Sequence, residues 1–180
     1  MVSDGPSRLE SLVMAVQEGA TAPEFALEND AGERVTLDDD ADRWLINYFY
    51  PQDNPPGCTR EAQAFTAAAP RLAKLGADVV GVSKDSVKSH CGFREKIGIT
   101  FPLLSDPDLT VHRAYGAWGA KTMYGKQVQG VIRSTFLVAP DGRIARIWRG
   151  VKVDGHVDKV IAALGEAQSE RKPAKKPVRR

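Results

Sequence analysis

Two strand-forming runs stand on either side of a long helical stripe, and that arrangement leaves the chain few folds to choose from. Trp44-Leu-Ile-Asn-Tyr-Phe49 is almost wholly apolar, the pattern of a strand buried on both faces. Asp78-Val-Val-Gly-Val-Ser83 reads the same way. Between them runs a proline-rich loop, Pro51 to Gly57, and then a helix from about Thr59 to Leu75. Ala62, Phe65, Ala69 and Leu72 form the apolar stripe of that helix, and Gly76 ends it. Strand, helix and strand in this order give a right-handed parallel crossover. Pro70 falls inside the helix and is expected to kink it or split it in two.

The remaining segments extend this unit on both sides. Val35-Thr-Leu37 follows the turn signal Asn29-Asp-Ala-Gly32. A second helix is expected from about Ser86 to Ile97, closed by Gly98, then a short extended piece at Phe101-Pro-Leu-Leu104 and a brief helix from Leu109 to Tyr115. Residues 116–130 hold four glycines and read as a loop. Thr135–Ala139 and Ile144–Trp148 flank Pro140-Asp-Gly142, a hairpin signal. A last helix, about His156 to Ala167, carries Val157, Val160, Ile161 and Leu164 on one face. The fold class is therefore α/β, with a central mixed β-sheet flanked by helices, parallel in the middle and antiparallel at one side.

At 180 residues the chain has the size of one domain. Residues 1–16 read as a flexible leader, since Ser3 to Ser7 lack the basic start and apolar stretch of a signal peptide. Residues 17–168 form the domain, and 169–180 read as a disordered basic tail. Residues 171–180 carry six of the 25 Lys and Arg and no acid, which leaves 19 basic against 23 acidic groups in the rest. The tail is either a solubilising end or a weak contact for nucleic acid or another polyanion. A ten-residue basic tail does not make the body a reader of nucleic-acid sequence. No apolar run of about 18 residues is present to span a membrane, and a cytoplasmic location is expected.

The chemistry concentrates at Cys58, where a buried strand gives way to a helix. Unpaired N–H groups and a partial positive charge gather at a helix N-terminus, and both favour the thiolate form of a cysteine placed there. The other reading of this position is a small buried thiol that fills space. Two cysteines, Cys58 and Cys91, are too few for a disulfide scaffold, and no C-x-x-C pair occurs. His90 lies beside Cys91, but no metal-ligand spacing appears. His112 and His156 read as structural, and Trp118, Met123 and Tyr124 as packing around the site. Nucleotide-binding glycine motifs are absent from the sequence.

The segment Tyr48-Phe-Tyr-Pro51, Pro56-Gly-Cys-Thr59, Glu61-Ala62 resembles the active-site loop of the peroxiredoxins, and most closely that of the bacterioferritin comigratory protein (peroxiredoxin Q) subfamily. Further matches follow in order: Ala22-Pro-Glu-Phe25, Gly81-Val-Ser83, Phe101 to Asp106, Tyr115-Gly116, Trp118-Gly119, Lys121, Met123, Gly125, Arg133-Ser-Thr-Phe136 and Asp141-Gly142. The resemblance covers about residues 17–167. It implies a thioredoxin-like fold of the peroxiredoxin type and a thiol-dependent peroxidase that reduces hydrogen peroxide and organic hydroperoxides.

The same resemblance assigns roles. Cys58 is the peroxidatic cysteine, and Arg133 lies near it to favour the thiolate and bind the peroxide, together with the backbone at Gly57 and Cys58. Pro51 shields the sulfur. Glu61 holds loop and arginine in register; by itself it also reads as a first-turn acid, and Arg133 as an ordinary surface arginine. No metal, flavin or haem is implied, thioredoxin or a similar dithiol is the implied reductant, and the expected state is a monomer or weak dimer.

Two departures from the subfamily pattern stand out. Where the family places a Thr or Ser three residues before the cysteine, with its hydroxyl on the peroxide, this chain has Pro55. A peroxide sensor or binding protein with weak turnover is the alternative that this change suggests. Many relatives carry a resolving cysteine five residues after the first, where Gln63 stands here. Another branch places it on the following helix, which makes Cys91 the candidate resolving thiol, with an unreactive helix cysteine as the other reading.

Overall fold

The computed structural model describes residues 16–175. Residues 1–15 of the expected leader and 176–180 of the expected tail lie outside the described residues. Nine strands and four helices follow one another: β1 (Ala26–Glu28), β2 (Arg34–Thr36), β3 (Trp44–Phe49), α1 (Pro56–Lys74), β4 (Ala77–Ser83), α2 (Val87–Ile97), β5 (Leu103–Ser105), α3 (Thr110–Tyr115), β6 (Trp118–Met123), β7 (Lys126–Val131), β8 (Ser134–Val138), β9 (Ile144–Arg149) and α4 (His156–Lys175). Seven strands form one mixed sheet in the order β2-β1-β5-β4-β3-β8-β9. β3, β4 and β5 run parallel, and β8 and β9 pair antiparallel on the β3 side. The crossover read from the sequence is thus the centre of the molecule.

β3 is buried along its whole length because both faces of the sheet are covered. Ile46, Tyr48 and Tyr50 point into the core made with Phe65 and Leu72 of α1, Phe93 of α2 and Val160 and Leu164 of α4. Leu45 and Phe49 point the other way, toward Phe25, Val111 and Tyr115 of α3, and Phe136. The alternation follows the two-residue period of a strand. Removing such large side chains from water stabilises the fold by about 1.5–3 kcal/mol each. Gly81 lets β4 pass close beneath β3, since a Cβ there would come within 3.0 Å of the Tyr48 ring.

Three expectations are corrected. Pro70 does not split the first helix: α1 runs unbroken from Pro56 to Lys74. Pro70 lies on the exposed face of the helix. Residues 116–130 are not a loop, because β6 and β7 pair as a separate antiparallel ribbon. Its two-residue turn, Tyr124-Gly125, has positive φ at both positions, 53° and 79°, the geometry of the tightest hairpins. The last helix does not stop near Ala167 but continues to Lys175. At its near edge, Arg171 lies over the Trp44 ring at 5.6 Å and pairs with Asp141 at 3.2 Å.

His156 opens α4 and is buried as expected of a structural histidine. Its Nε2 is 2.8 Å from the Thr135 hydroxyl of β8. Burial, then the charges of Lys159 and Arg133, push its pKa down to about 4. The unfolded chain therefore binds a proton at higher pH than the folded one. The stability this residue lends is complete above about pH 6.5 and drains away as pH falls toward 4. We expect His156→Gln to reduce the loss of stability between pH 7.5 and 4.5 by on the order of 2 kcal/mol, read as the shift in urea midpoint between the two pH values. An unchanged acid dependence would place the titration elsewhere.

Candidate active site

Cys58 occupies the third position of α1 because the helix begins at Pro56, earlier than the expected Thr59. Proline suits a first helical position, where its missing N–H costs nothing. The first helical bond runs from the Thr59 N–H to the Pro55 carbonyl at 2.9 Å. The N–H groups of Gly57 and Cys58 thus have no acceptor within the helix, and Pro55 brings no side chain to cap them. The positive end of the helix dipole is left uncompensated beside the sulfur. The approach is fixed by Asn54, whose φ is 88° and whose carbonyl accepts from the Thr59 hydroxyl at 2.9 Å.

Arg133 reaches this point through the sheet. It immediately precedes β8, and the register pairs Ser134 with Phe49, the last residue of β3. Its side chain therefore emerges where β3 hands over to the loop that leads to Cys58. Nη1 donates to Glu61 Oε1 at 2.6 Å, and Nη2 lies 3.5 Å from Cys58 Sγ. Cys58 and Glu61 are one helical turn apart and share a face of α1, so the two grip one guanidinium. Gly57 leaves it room: a Cβ there would stand 3.4 Å from Nη2.

The cluster is dry. Cys58 and Glu61 are 2% and 1% exposed. Burial pushes the Glu61 pKa up to about 7, against the pull of the Arg133 charge and hydrogen bond. Burial also pulls Arg133 down, but the Glu61 and Cys58 side chains outweigh it and hold the guanidinium charged. Tyr48 stacks on Phe65 at 4.7 Å. Burial, then the neighbouring Glu61 and Cys58, keep its phenol protonated well beyond the usual range. Glu61 Oε2 and the Tyr48 hydroxyl have no protein partner within hydrogen-bond reach. Donors preorganised in a dry site stabilise charge that develops during reaction. One guanidinium nitrogen, Nη2, lies against a buried sulfur here, in a helix turn whose first amides have no acceptor within the helix.

The structure brings Cys58, Gly57, Glu61 and Arg133 together, and Pro51 opens the loop between β3 and α1. It does not join Cys91 to them: Cys58 is buried and Cys91 exposed, and both are free thiols. Cys91 Sγ faces Glu95 Oε2, one turn along α2, at 3.8 Å. Tyr124 does not pack around the site; it is 98% exposed at the tip of the β6–β7 ribbon. Trp118, at the base of the ribbon, packs under the Arg113 guanidinium at 5.8 Å. Sequence reasoning passed over Asp53, which is buried in the loop before Cys58 and bonded to Tyr50, Ser89 and His90. An acid three residues after a buried tyrosine, within a proline-rich loop, was the available signal.

Residues 19–147 match the AhpC/TSA family. The chain is 50% identical over 141 residues to peroxiredoxin Bcp of Xanthomonas campestris pv. campestris, covering 78% of this chain and 88% of that protein. It is 40% identical over 151 residues to peroxiredoxin Bcp of Bacillus subtilis, covering 84% and 96%. Among solved structures, the Xanthomonas campestris bacterioferritin comigratory protein, studied for alkyl peroxide reduction in trapped intermediate and ligand complexes, superposes with a TM-score of 0.76 at 48% identity, covering 79% of this chain and 91% of that one. A Cys-to-Ser mutant of Xylella fastidiosa PrxQ gives a TM-score of 0.78 at 40% identity, covering 86% and 97%. The thioredoxin-like fold of the peroxiredoxin type follows from these superpositions, and the chain belongs to the AhpC/TSA family, in its peroxiredoxin Bcp (peroxiredoxin Q) branch.

Proposed function

We propose that the chain is a thiol peroxidase in which Cys58 is the peroxidatic cysteine, and one observation carries this reading: a guanidinium 3.5 Å from Sγ, clamped from the other side by Glu61 at 2.6 Å. The Cys58 thiolate attacks the nearer peroxide oxygen. The O–O bond breaks, the departing oxygen takes the peroxide's proton and leaves as alcohol or water, and the sulfenate left on sulfur picks up a proton from solvent to become a sulfenic acid. Arg133 and the amides of Gly57 and Cys58 receive the negative charge that builds on the departing oxygen. Glu61 fixes the guanidinium plane, and Pro51 shields the sulfur from bulk water.

Cys91 then resolves the sulfenic acid as an intramolecular disulfide, and thioredoxin or a similar dithiol reduces that bond by exchange. Peroxiredoxin Q of Xanthomonas campestris has been solved with either of two different cysteines replaced by serine. Because Cys58 is buried and Cys91 exposed, resolution requires the first turn of α1 to loosen. We take the protein to act in the cytoplasm as a monomer or weak dimer. Among the described residues no helix is long and apolar enough to cross a membrane.

Three outcomes test the reading. Cys58→Ser should abolish peroxide consumption in an NADPH-coupled thioredoxin assay, and Arg133→Met should lower kcat/KM by about 10- to 100-fold, the worth of one or two charge-assisted hydrogen bonds. A Cys58→Ser protein that keeps most of its activity rejects the mechanism. Pro55→Thr should raise the rate of the first step by up to about tenfold, because it supplies a hydroxyl beside the peroxide site; stopped-flow oxidation reads this. A peroxide sensor with crippled turnover would instead show slow cycling in the parent protein and a large gain in this variant. Cys91→Ser should permit one round of oxidation and then block thioredoxin-coupled cycling, and undiminished cycling rejects Cys91 as the resolving thiol.

A further inference from the structure

Away from the reacting sulfur, the most densely bonded polar group in the core is the Asp53 carboxylate. It accepts from the Tyr50 hydroxyl at 2.7 Å, from the Ser89 hydroxyl at 2.6 Å and lies 2.9 Å from His90 Nδ1. Its own backbone N–H donates to Asp85 Oδ2 at 2.8 Å, which also accepts from the Ser83 hydroxyl at 2.8 Å. The other ring nitrogen of His90, Nε2, is 3.0 Å from the Leu104 carbonyl of β5. Both ring nitrogens face acceptors. His90 is fully buried and Asp53 is 4% exposed. Burial raises the Asp53 pKa, but the bonds from His90, Ser89 and Tyr50 outweigh it and hold the carboxyl below its usual range.

Asp53, Asp85 and His90 lie close enough to suggest a cation site, yet their facing atoms are already engaged with one another, with hydroxyls and with backbone. The network is complete as a set of hydrogen bonds. Its position is what gives it consequence. Asp53 belongs to the loop that ends at Cys58, Ser89 and His90 belong to the first turn of α2, and Cys91 is the next residue. One buried pair thus fastens the two segments that carry the two thiols.

We propose that Asp53 and His90 are positioning residues that form a latch between the Cys58 loop and the Cys91 helix, and that release of this latch sets the rate at which the two thiols join. The proposal rests on the reading of Cys91 as the resolving thiol. In that step the Cys91 sulfur attacks the sulfenic sulfur of Cys58. An S–S bond forms, the S–O bond breaks, and the hydroxyl leaves as water with the proton from Cys91. Cys58 is buried and Cys91 exposed, so for the sulfurs to meet the Cys58 loop must leave its packed position against α2, which uncouples a buried carboxylate from its imidazole partner. Removing one side of such a pair is costly, so a closed latch prolongs the life of the sulfenic acid. A second peroxide can then carry Cys58 on to the sulfinic acid.

Rapid mixing of the full chain with one equivalent of hydrogen peroxide, followed by acid quench, thiol blocking and intact mass, resolves the sulfenic, disulfide and sulfinic forms. Asp53→Asn weakens the pairing with His90, and Ser89→Ala removes one half-buried hydroxyl. Sulfenic acid formation should stay within about threefold in both. Disulfide formation should speed by about tenfold in Asp53→Asn and about threefold in Ser89→Ala, with sulfinic acid at excess peroxide falling in the same order. A merely structural pair moves both steps together or neither. Disulfide formation unchanged or slower, with the first step intact, overturns the latch alone. A parent protein that forms no link between residues 58 and 91 overturns the resolving role, and the latch with it. Should Asp53→Asn not fold by circular dichroism, the rate in Ser89→Ala decides.

Discussion

The arrangement at the start of α1 depends on one guanidinium held between a carboxylate and a sulfur. Arg133 is far from Cys58 in sequence, and only the antiparallel pairing of β8 with β3 delivers it to the end of β3, where Phe49 faces Ser134. The ion pair with Glu61 is largely buried, 18% and 1% exposed at the two side chains. A buried pair contributes little net stability, since desolvation offsets most of the attraction, but loss of either partner strands a charge. Its return is orientation. Glu61 occupies one edge of the guanidinium, so the other faces Cys58, and the plane is fixed.

That constraint explains why so much of the protein is built around β3. Both faces of the strand are sealed by packed side chains, which fixes the point at which the chain turns out toward Cys58. Tyr48 stacks on Phe65 beneath the site, and Gly81 gives the ring its room. A displacement of β8 against β3 would move Arg133 directly, and catalytic geometry is sensitive to shifts of about 1 Å. The rigidity of the sheet is thereby a condition of the chemistry at its edge.

The central crossover was legible because its signals are local and strong: two apolar runs, a helical stripe and a turn glycine. The β8–β9 hairpin was legible from Pro140-Asp-Gly142 for the same reason. The β6–β7 ribbon was not, since Lys121, Gln127 and Gln129 give it no apolar face and its glycines suggested a loop. Two consecutive positive φ values at Tyr124 and Gly125 are what make the hairpin, and a tyrosine is a poor advertisement for such a turn. The continuity of α1 through Pro70 depended on which face the proline occupies, a matter of phase rather than composition. At the site, Cys58, Arg133, Gly57 and Glu61 were found through resemblance to a known pattern. The Asp53–His90 pair was not, because a loop acid and a helix histidine become partners only once β4 and α2 bring residues 85–90 alongside residues 50–53.

Pro55 stands at the boundary between holding and release. A hydroxyl or carboxamide at that cap would take one of the free amides and stabilise α1 by about 0.5–2 kcal/mol. Proline takes none, so the first turn of α1 is held less firmly. The same ring fixes its own backbone, with φ at −52°, and restricts the ways in which the loop can unwind. A weakly capped helix start on a stiff approach needs something else to keep it closed before oxidation. Among the described residues, the buried pair that ties residues 51–58 to α2 is Asp53 with His90. Opening is then governed less by how well α1 is capped than by how firmly its preceding loop is fastened to α2, and a chain that lacks the cap has the more reason to retain the fastening.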